Sequence, residues 1–498
     1  MADCKKIVSG KAGFIACFFL LSFSWGYSAD NLWLFDANLE KAHRLILNLQ
    51  TDLAYALLSN PALKANEAQK VYLLSLCETI SVLITEDENK FQKMESNFRD
   101  RLLHLESSPS SPEKLFLQAE LNLQRGFNYL NQNQELNAVL TIRRAYNFTQ
   151  ECLQRYPNFI PIKKTSGVIQ VMIGAVPDKY HWFMALLGMK GSVVTGQKQL
   201  EELRLSNSSL NMEATILYYT IKGFINQQFD EASRGIEEYL KTQPDNRLVL
   251  FLGVNMLVKN SQSEEALKLF QALDQHQDGL QMAYIEYLRG EALTYKGEYA
   301  EAILAYHKFV TNFHSQSFKK DAYYKIALCY WLLNKTDLAR QNFEKARNMG
   351  RDVAEPDKYS ARQLEENNFP NPKILRVRFF TDGGYYAQAQ DVLRTILPSD
   401  LTSLKDRTEY YYRKARLAHK TGELFVAKVF YEQSIDMTGE NPWYFAANSA
   451  LQLGYIAQAQ KDNVMAKKYF EQALNFKRHE YKNSIDSKAR SALEQLNN

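Results

Sequence analysis

The chain contains little proline and glycine, with 12 Pro and 21 Gly among 498 residues. A protein built from many short strands needs these residues often, because they form its tight turns. Their scarcity argues against an all-β architecture and favours a chain made mostly of helices. Apolar residues still make up 46% of the sequence, which is enough for a large core and is not typical of a disordered protein.

Neither sign of charge dominates. The sequence has 60 Lys and Arg against 56 Asp and Glu, for a net charge of +4. Proteins that bind nucleic acid or anionic surfaces through a general field carry a strong basic excess. We therefore predict no nucleic-acid partner.

Motifs for catalysis and metal binding are also missing. The sequence contains no H-E-x-x-H, no G-x-x-x-x-G-K and no G-x-S-x-G. The eight histidines do not cluster, and His307 and His314 have no Cys or second acidic ligand at metal spacing beside them. We predict that the protein is not an enzyme and has no catalytic residue, metal site or cofactor.

Cysteine is scarce as well. Two of the five cysteines lie in the first 28 residues, which leaves Cys77, Cys152 and Cys329 far apart in the chain. Cys77 and Cys329 stand among apolar residues with helical spacing, which favours small buried side chains. One disulfide with one free thiol stays open as the alternative in an oxidising compartment.

The chain begins with the layout of a secretory signal peptide. Lys5, Lys6 and Lys11 precede the apolar run GFIACFFLLSF, and the small-residue zone SWGYSADN follows. The apolar run is shorter than the ~20 residues that span a bilayer. We predict cleavage after Ser28 and export to the periplasm or envelope, with an uncleaved anchor or lipidation at Cys17 as alternatives.

One residue template recurs in the second half of the chain. Four passages place a small residue, a turn, a second small residue after twelve positions and an aromatic residue after sixteen. Small side chains let two helices approach closely, and the aromatic ring fills the space beside them. We predict that these positions pack helix against helix: Gly290, Ala302, Tyr306, Ala327, Ala339, Phe343, Ala415, Ala427, Tyr431, Gly454, Ala466 and Phe470.

This template resembles the tetratricopeptide repeat. Weaker copies bring the number to about seven hairpins between residues 210 and 496. Residues 350–372 break the rhythm with prolines and charges, which predicts a loop or an inserted extension. The resemblance implies antiparallel helix hairpins stacked into a right-handed superhelical solenoid.

The N-terminal third is predicted to be helical too, because its apolar residues recur at steps of three and four. The sequence SSPSSPEKL marks a break before a new helix start. The predicted organisation is all-α, with a signal peptide at 1–28, a helical N-terminal domain at 29–205 and a tetratricopeptide-like repeat array at 206–498.

A more specific resemblance lies in residues 166–203, where an apolar helix, a Val-Pro step and a second apolar helix lead into Gly-Met-Lys-Gly. This stretch resembles the tetratricopeptide family that includes the fungal inclusion-body-clearance protein and its animal relatives, and Met189 stands where that family usually has Phe. With the export signal, the resemblance implies an exported bacterial member that shares the family's helical-scaffold architecture. The matching residues are Pro177, Gly188, Lys190, Gly191 and Gly196.

Stacked hairpins form an extended concave groove. Tyrosines that precede the small residue of each first helix either contact a partner in this groove or pack against the preceding hairpin. We predict an exported, non-catalytic scaffold that binds a protein partner through the concave face. The candidate partner contacts are Tyr284, Tyr287, Tyr323, Tyr324, Tyr410 and Tyr411.

The alternative is a binder or carrier of a small or lipidic ligand. The aromatic and apolar stretch KYHWFMALLGM motivates this function, with the ligand sheltered where the N-terminal helices meet the array. Trp182 and Phe183 are equally compatible with ordinary core positions.

Overall fold

The computed structural model describes residues 32–176, 181–352 and 354–497. The predicted signal peptide, Cys17 and Pro177 lie outside these residues. The described residues form 25 α-helices and one short 3-10 helix, without a strand. The prediction of an all-α chain is confirmed.

Nine helices form the N-terminal region. Trp33 packs edge-on against Phe116 in its aromatic core, with ring centroids 5.2 Å apart. The break after Ser107 ends at Pro112, because Ser111 accepts a hydrogen bond from the Lys114 N–H and proline suits the first helical position. The helices are α1 (Ala37–Leu47), α2 (Thr51–Leu58), α3 (Glu67–Thr85), α4 (Glu88–Ser107), α5 (Pro112–Asn131), α6 (Glu135–Arg155), α7 (Ile162–Gly174), α8 (His181–Leu186) and α9 (Val193–Arg204).

Helix α3 is long and apolar enough to cross a membrane by length and composition alone. Its residues Tyr72, Leu73 and Val82 are nevertheless buried against the neighbouring helices. The polar residues Ser75 and Thr79 are buried in the same helix. This pattern is typical of the central helix of a packed bundle.

Seven helix hairpins and a final helix follow, which confirms the predicted helical repeat solenoid. Leu210 and Ala214, at the start of the first hairpin, still belong to the N-terminal core, so the two regions share one interior. The hairpins are α10 (Asn211–Phe224) with α11 (Phe229–Thr242), α12 (Arg247–Lys259) with α13 (Ser263–Gln275), α14 (Tyr284–Lys296) with α15 (Tyr299–Asn312), α16 (Lys319–Leu332) with α17 (Thr336–Asn348), α19 (Pro372–Gly383) with α20 (Tyr386–Arg394), α21 (Leu404–Lys420) with α22 (Leu424–Thr438), and α23 (Phe445–Ala459) with α24 (Asn463–Asn475); α18 (Glu355–Glu365) is an extra helix and α25 (Lys482–Asn497) closes the array.

The third hairpin shows why the template residues recur. A Cβ on Gly290 would lie 2.6 Å from the ring of Tyr306, so only glycine lets this ring pack directly on α14. Gly297 ends α14 with a φ of 91°, a conformation that glycine adopts without steric cost. Ala302 and Tyr306 are fully buried. The other template positions are buried as well: Ala327, Ala339, Phe343, Ala415, Ala427, Tyr431, Gly454, Ala466 and Phe470.

Residues 350–372 are not simply a loop, because they contain helix α18. Asp357 of this helix is fully buried, and its carboxylate accepts hydrogen bonds from the backbone N–H groups of Phe318 at 2.6 Å and Asp321 at 3.0 Å. Ser360 donates a hydrogen bond to the Asp321 carboxylate at 2.8 Å. The insertion therefore packs on the start of α16 and caps its backbone.

Candidate partner-binding site

The first helices of the hairpins line one side of the array, which we call the inner face: α12, α14, α16, α19, α21, α23 and the final helix α25. The array curls enough for distant turns to meet. A Cβ on Gly384 would clash with the carbonyl oxygen of Ser261, so the turns after α19 and α12 touch. Ser192 at the start of α9 donates a hydrogen bond to Glu494 of α25 at 2.8 Å, which joins the last helix to the N-terminal region.

The middle of the inner face is a ladder of paired charges. Lys325 Nζ lies 2.7 Å from Glu291 Oε1 and 2.8 Å from Asp321 Oδ2. Lys259 Nζ approaches the other Glu291 oxygen at 3.3 Å, and the Tyr287 hydroxyl donates to Asp321 at 2.6 Å. Each charge in this ladder has a partner of opposite charge.

The pKa of Glu291 reflects this pairing. Burial alone would raise it, but Lys259 and Lys325 outweigh burial and lower the pKa to about 2. The carboxylate is therefore ionised at neutral pH and held by two cations. Such a compensated network fixes neighbouring helices in register and leaves no free charge for a ligand.

Three of the six candidate tyrosines are buried within the array. Tyr287, Tyr324 and Tyr410 are 1%, 3% and 6% exposed, and Tyr287 is also tied to Asp321. The alternative of packing against a neighbouring hairpin describes these three residues, since a buried ring offers no surface to a partner.

The other three tyrosines are half-buried. The ring of Tyr284 stacks on Tyr287 at 5.2 Å, and Tyr411 stacks on Phe430 at 5.9 Å. Tyr323 borders the main core of the array. Partner contact stays a prediction for Tyr284, Tyr323 and Tyr411.

A cavity of about 660 Å³ lies where the beginning and the end of the array face each other. One wall comes from the α10–α11 turn and the end of α12, and the opposite wall comes from α21, α23 and α25. Its lining is mostly polar and charged, in contrast to the apolar seams between hairpins. The residues used below are Asp230, Lys259, Asn260, Arg416, Lys420, Asn448, Gln452, Ser484 and Lys488.

Four cations line this cavity without a carboxylate partner among the described residues. Arg234 is exposed on α11; the other three, which we call the cationic cluster, are Arg416, Lys420 and Lys488. The two lysines form no ion pair or hydrogen bond within the described residues, and Arg416 donates to the Gln452 side-chain oxygen at 3.2 Å. Burial, Arg416 and Lys259 together lower the pKa of Lys488 to about 8. Burial and Arg416 lower the pKa of Lys420 in the same way.

Side-chain amides continue the polar wall along α23. Gln452 donates to the Asn448 side-chain oxygen at 3.3 Å, and Asn448 donates to the Tyr412 hydroxyl at 2.7 Å. Across the cavity, the Asn260 amide donates to Asp230 at 2.8 Å. The cavity therefore offers cations for an anion and amides for the backbone of an extended chain.

Sequence reasoning did not single out the cationic cluster. Arg416 and Lys420 are four residues apart on the first helix α21, and Lys488 lies on the final helix α25. A Lys or Arg on a helical face ordinarily indicates a solvated surface. Only the tertiary structure brings Lys488 to the same cavity as Arg416 and Lys420.

The glycines of residues 188–196 serve a turn and a close contact between two helices. Gly188 has a φ of 72° and no atom near its Cβ position, so it serves the turn after α8. A Cβ on Gly191 would lie 2.6 Å from the Gln170 carbonyl oxygen, and one on Gly196 would clash with the carbonyl oxygen of Gly167. Helices α7 and α9 therefore approach closely. Lys190 is exposed and its N–H donates to the Tyr146 hydroxyl at 3.3 Å.

The stretch around α8 was predicted either to shelter a ligand or to belong to the core. Two of its large apolar side chains do not lie in the core. Trp182 is 66% exposed and Leu186 is 72% exposed. An apolar cavity of about 340 Å³ occurs elsewhere, between α2, α3 and α4, where Tyr55, Cys77 and Met94 line it.

The described residues contain no group of three or more His, Cys, Asp or Glu side chains that could hold a metal ion. Cys77, Cys152 and Cys329 are all buried free thiols, so the disulfide alternative does not occur among them. Burial raises the pKa of each thiol to about 12, which keeps these cysteines protonated and unreactive.

These features define a helical repeat protein of the tetratricopeptide class with a polar inner face. A tetratricopeptide-repeat family model matches residues 447–479, the hairpin of α23 and α24. The model of the family described as Iml2/Tetratricopeptide repeat protein 39 matches residues 161–378. The chain is a tetratricopeptide-repeat protein that resembles this family, as the motif in residues 166–203 predicted.

Solved structures of similar proteins are distant. A human IFIT1 dimer with PPP-AAAA shows 12% identity and a TM-score of 0.32, over 91% of this chain and 96% of that chain. A human IFIT1 dimer with m7Gppp-AAAA shows 10% identity and a TM-score of 0.32, over 95% and 97%. Likeness at this TM-score carries no argument about the function of this chain.

Proposed function

We propose that this protein is a non-catalytic scaffold that binds a protein partner through the inner face of its repeat array. The observation that carries the proposal is the polar cavity at the end of the inner face, where the cationic cluster lacks carboxylate partners. Tetratricopeptide arrays typically present such concave surfaces to peptides or helices. The half-buried rings of Tyr284, Tyr323 and Tyr411 add amphipathic contact area.

The absence of a role in catalysis is part of this proposal. Elsewhere on the inner face, the acidic groups Glu291 and Asp321 are engaged in ion pairs. The buried thiols are protonated at neutral pH. No nucleophile stands beside a general base among these groups, which is the arrangement that covalent catalysis requires.

Site-specific photocrosslinking in cells tests the proposed surface. A photoreactive residue at Gln452 or Ser484 in the cavity should yield a reproducible protein adduct. The same residue in place of Lys467, which is exposed on α24, serves as the control outside the cavity. Absence of any cavity-specific adduct would contradict the proposal.

We further propose that the scaffold is exported and works in the periplasm or at the envelope. The basic residues, short apolar run and small-residue zone of residues 1–28 support this location. Cell fractionation with N-terminal sequencing of the mature protein tests it. A cytoplasmic protein that retains residues 1–28 would contradict it.

A second candidate function is binding of a small or lipidic ligand. The apolar cavity of about 340 Å³ between α2, α3 and α4 favours it, because Lys90 and Lys93 stand at its edge and could pair with an acidic head group. Native mass spectrometry before and after delipidation should detect a bound small molecule. A single unliganded mass would count against this function.

A further inference from the structure

We propose that the cavity at the end of the inner face binds an acidic segment of the partner, whose Asp or Glu carboxylates bind the cationic cluster Arg416, Lys420 and Lys488. This inference rests on the proposed function and names the chemistry of the segment that binds. It makes the cavity the selective part of the inner face.

The contrast within the inner face is the first argument. Lys325 is paired with two carboxylates, whereas Lys420 and Lys488 have none within the described residues. Removing charge from water costs free energy unless an opposite charge or hydrogen bonds compensate it. Two partly buried, unpaired lysines beside Arg416 therefore leave a site that an anion would complete.

The electrostatics agree with the geometry. Lys488 has its pKa lowered to about 8, because burial and the nearby cations Arg416 and Lys259 disfavour its charged form. A bound carboxylate would reverse this effect and restore the charged lysine. The acids that face the cluster are Asp230 and Asp382, and Asp230 is already hydrogen-bonded to Asn260.

The shape and the other polar groups favour a peptide. A cavity of about 660 Å³ has the size of a site for a short peptide segment. The amides of Asn448, Gln452 and Asn260 can pair with peptide N–H and C=O groups. A nucleic acid would need a longer basic track than this cluster with Arg234 and Lys259, which Asp230 and Glu231 interrupt.

Titration of the full chain with fluorescent oligoglutamate tests this inference directly. We expect binding that weakens with added salt, and no binding of an oligoglutamine peptide of the same length. Lys488→Gln and Lys420→Gln should each weaken binding about tenfold, the loss of one charged hydrogen bond. Lys467→Gln on the outer surface changes the net charge equally and should leave affinity unchanged.

Three results would overturn the inference: equal binding of oligoglutamine, unchanged affinity in both cavity variants, or oligouridylate RNA that binds the cluster and is not displaced by oligoglutamate. Thermal unfolding of each variant checks that the fold is intact. If photocrosslinks at Gln452 persist while oligoglutamate fails to bind, the scaffold function stands and only the acidic chemistry is wrong. If crosslinks and oligoglutamate binding both fail, the scaffold function fails as well.

Discussion

Two lysines in different regions of the molecule show opposite uses of a buried charge. Lys164 in the N-terminal region lies 2.7 Å from Glu120 and 2.8 Å from Glu213. Burial alone would lower its pKa, but the two carboxylates outweigh burial and raise it. Lys488 in the array has no such partner in the part of the chain that the structure describes, and burial with nearby cations lowers its pKa to about 8.

The difference separates a structural charge from a charge available to a ligand. Glu213 also accepts hydrogen bonds from the Tyr72 hydroxyl at 2.7 Å and pairs with His43 Nε2 at 2.9 Å. The N-terminal network is complete within the chain and holds α1, α3, α5, α7 and α10 together. The cationic cluster has no carboxylate partner among the described residues, so we expect a bound partner to supply one.

The largest effect should come from removing the paired lysine. Lys164→Met leaves Glu120 and Glu213 buried without their cation, so the free energy of unfolding should fall by about 3–5 kcal/mol. Urea denaturation measures the change. The neighbouring Lys163 pairs only with the exposed Glu202, and Lys163→Met should cost less than about 1 kcal/mol. Equal losses of unfolding free energy in Lys164→Met and Lys163→Met would show that Lys164 is not a structural charge.

The second-largest effect should come from Asp357 and should appear in the pH dependence of stability. Burial is the main cause that raises its pKa to about 7 in the fold, from an ordinary value of 3.8. Between these two pH values the folded state binds more protons than the unfolded state. The contribution of Asp357 to the free energy of unfolding is therefore present below pH 4 and is lost as pH rises to 7.

A shift of one pKa unit corresponds to about 1.4 kcal/mol when water is fully excluded. We expect a smaller contribution per unit from Asp357, which gives about 2–3 kcal/mol of unfolding free energy in total. Asp357→Asn should flatten the fall in urea stability between pH 4 and 7. Asp337→Asn, at an exposed position of α17, is the matched control. A wild-type pH profile that persists in Asp357→Asn would show that another group titrates.

The close approach of hairpin helices predicts a smaller effect. Ala302→Leu inserts a larger side chain at a fully buried position of α15, which should cost about 1–2 kcal/mol by overpacking. Ala300→Leu places the same side chain at an exposed position of the same helix and should change stability by less than about 0.5 kcal/mol. Chemical denaturation of both variants checks whether burial decides the outcome.

The smallest effect should follow removal of the unpaired lysine. Lys488→Met deletes no ion pair among the described residues and removes a charge that burial disfavours, so the unfolding free energy at pH 7 should rise slightly rather than fall. The pKa of Lys488 is lowered in the fold, so the charged lysine destabilises the folded state below pH 8. This destabilisation disappears as pH rises toward 10.5. The variant should lose that rise in stability. A loss comparable to Lys164→Met would place Lys488 among the structural charges.

Local sequence was sufficient to predict the repeat architecture. The spacing of Gly290, Ala302 and Tyr306 reflects contacts within one hairpin, which depend on residues close in sequence. The extra helix α18 was missed because its prolines and charges favour a loop. Its burial depends on Asp357 and Ser360, which meet a neighbouring helix about 40 residues away.

The partner-contact residues were harder to predict. Tyr287 and Tyr324 precede a small residue in their helices, but the spacing does not tell a ring facing the groove from one facing the next hairpin. The structure buries both of these rings. The cationic cluster left only an ordinary local signal, since Arg416 and Lys420 are four residues apart on α21 like many solvated pairs. Lys488 joins them only in the tertiary structure.

The sequence by itself determined that this chain is helical and repetitive, since close packing within each hairpin demands small and ring-bearing residues at fixed offsets. The tertiary structure alone decided which charges are paired. Lys164 and Lys488 are the same residue type on two helices, and only the arrangement of distant helices places carboxylates beside one and cations beside the other.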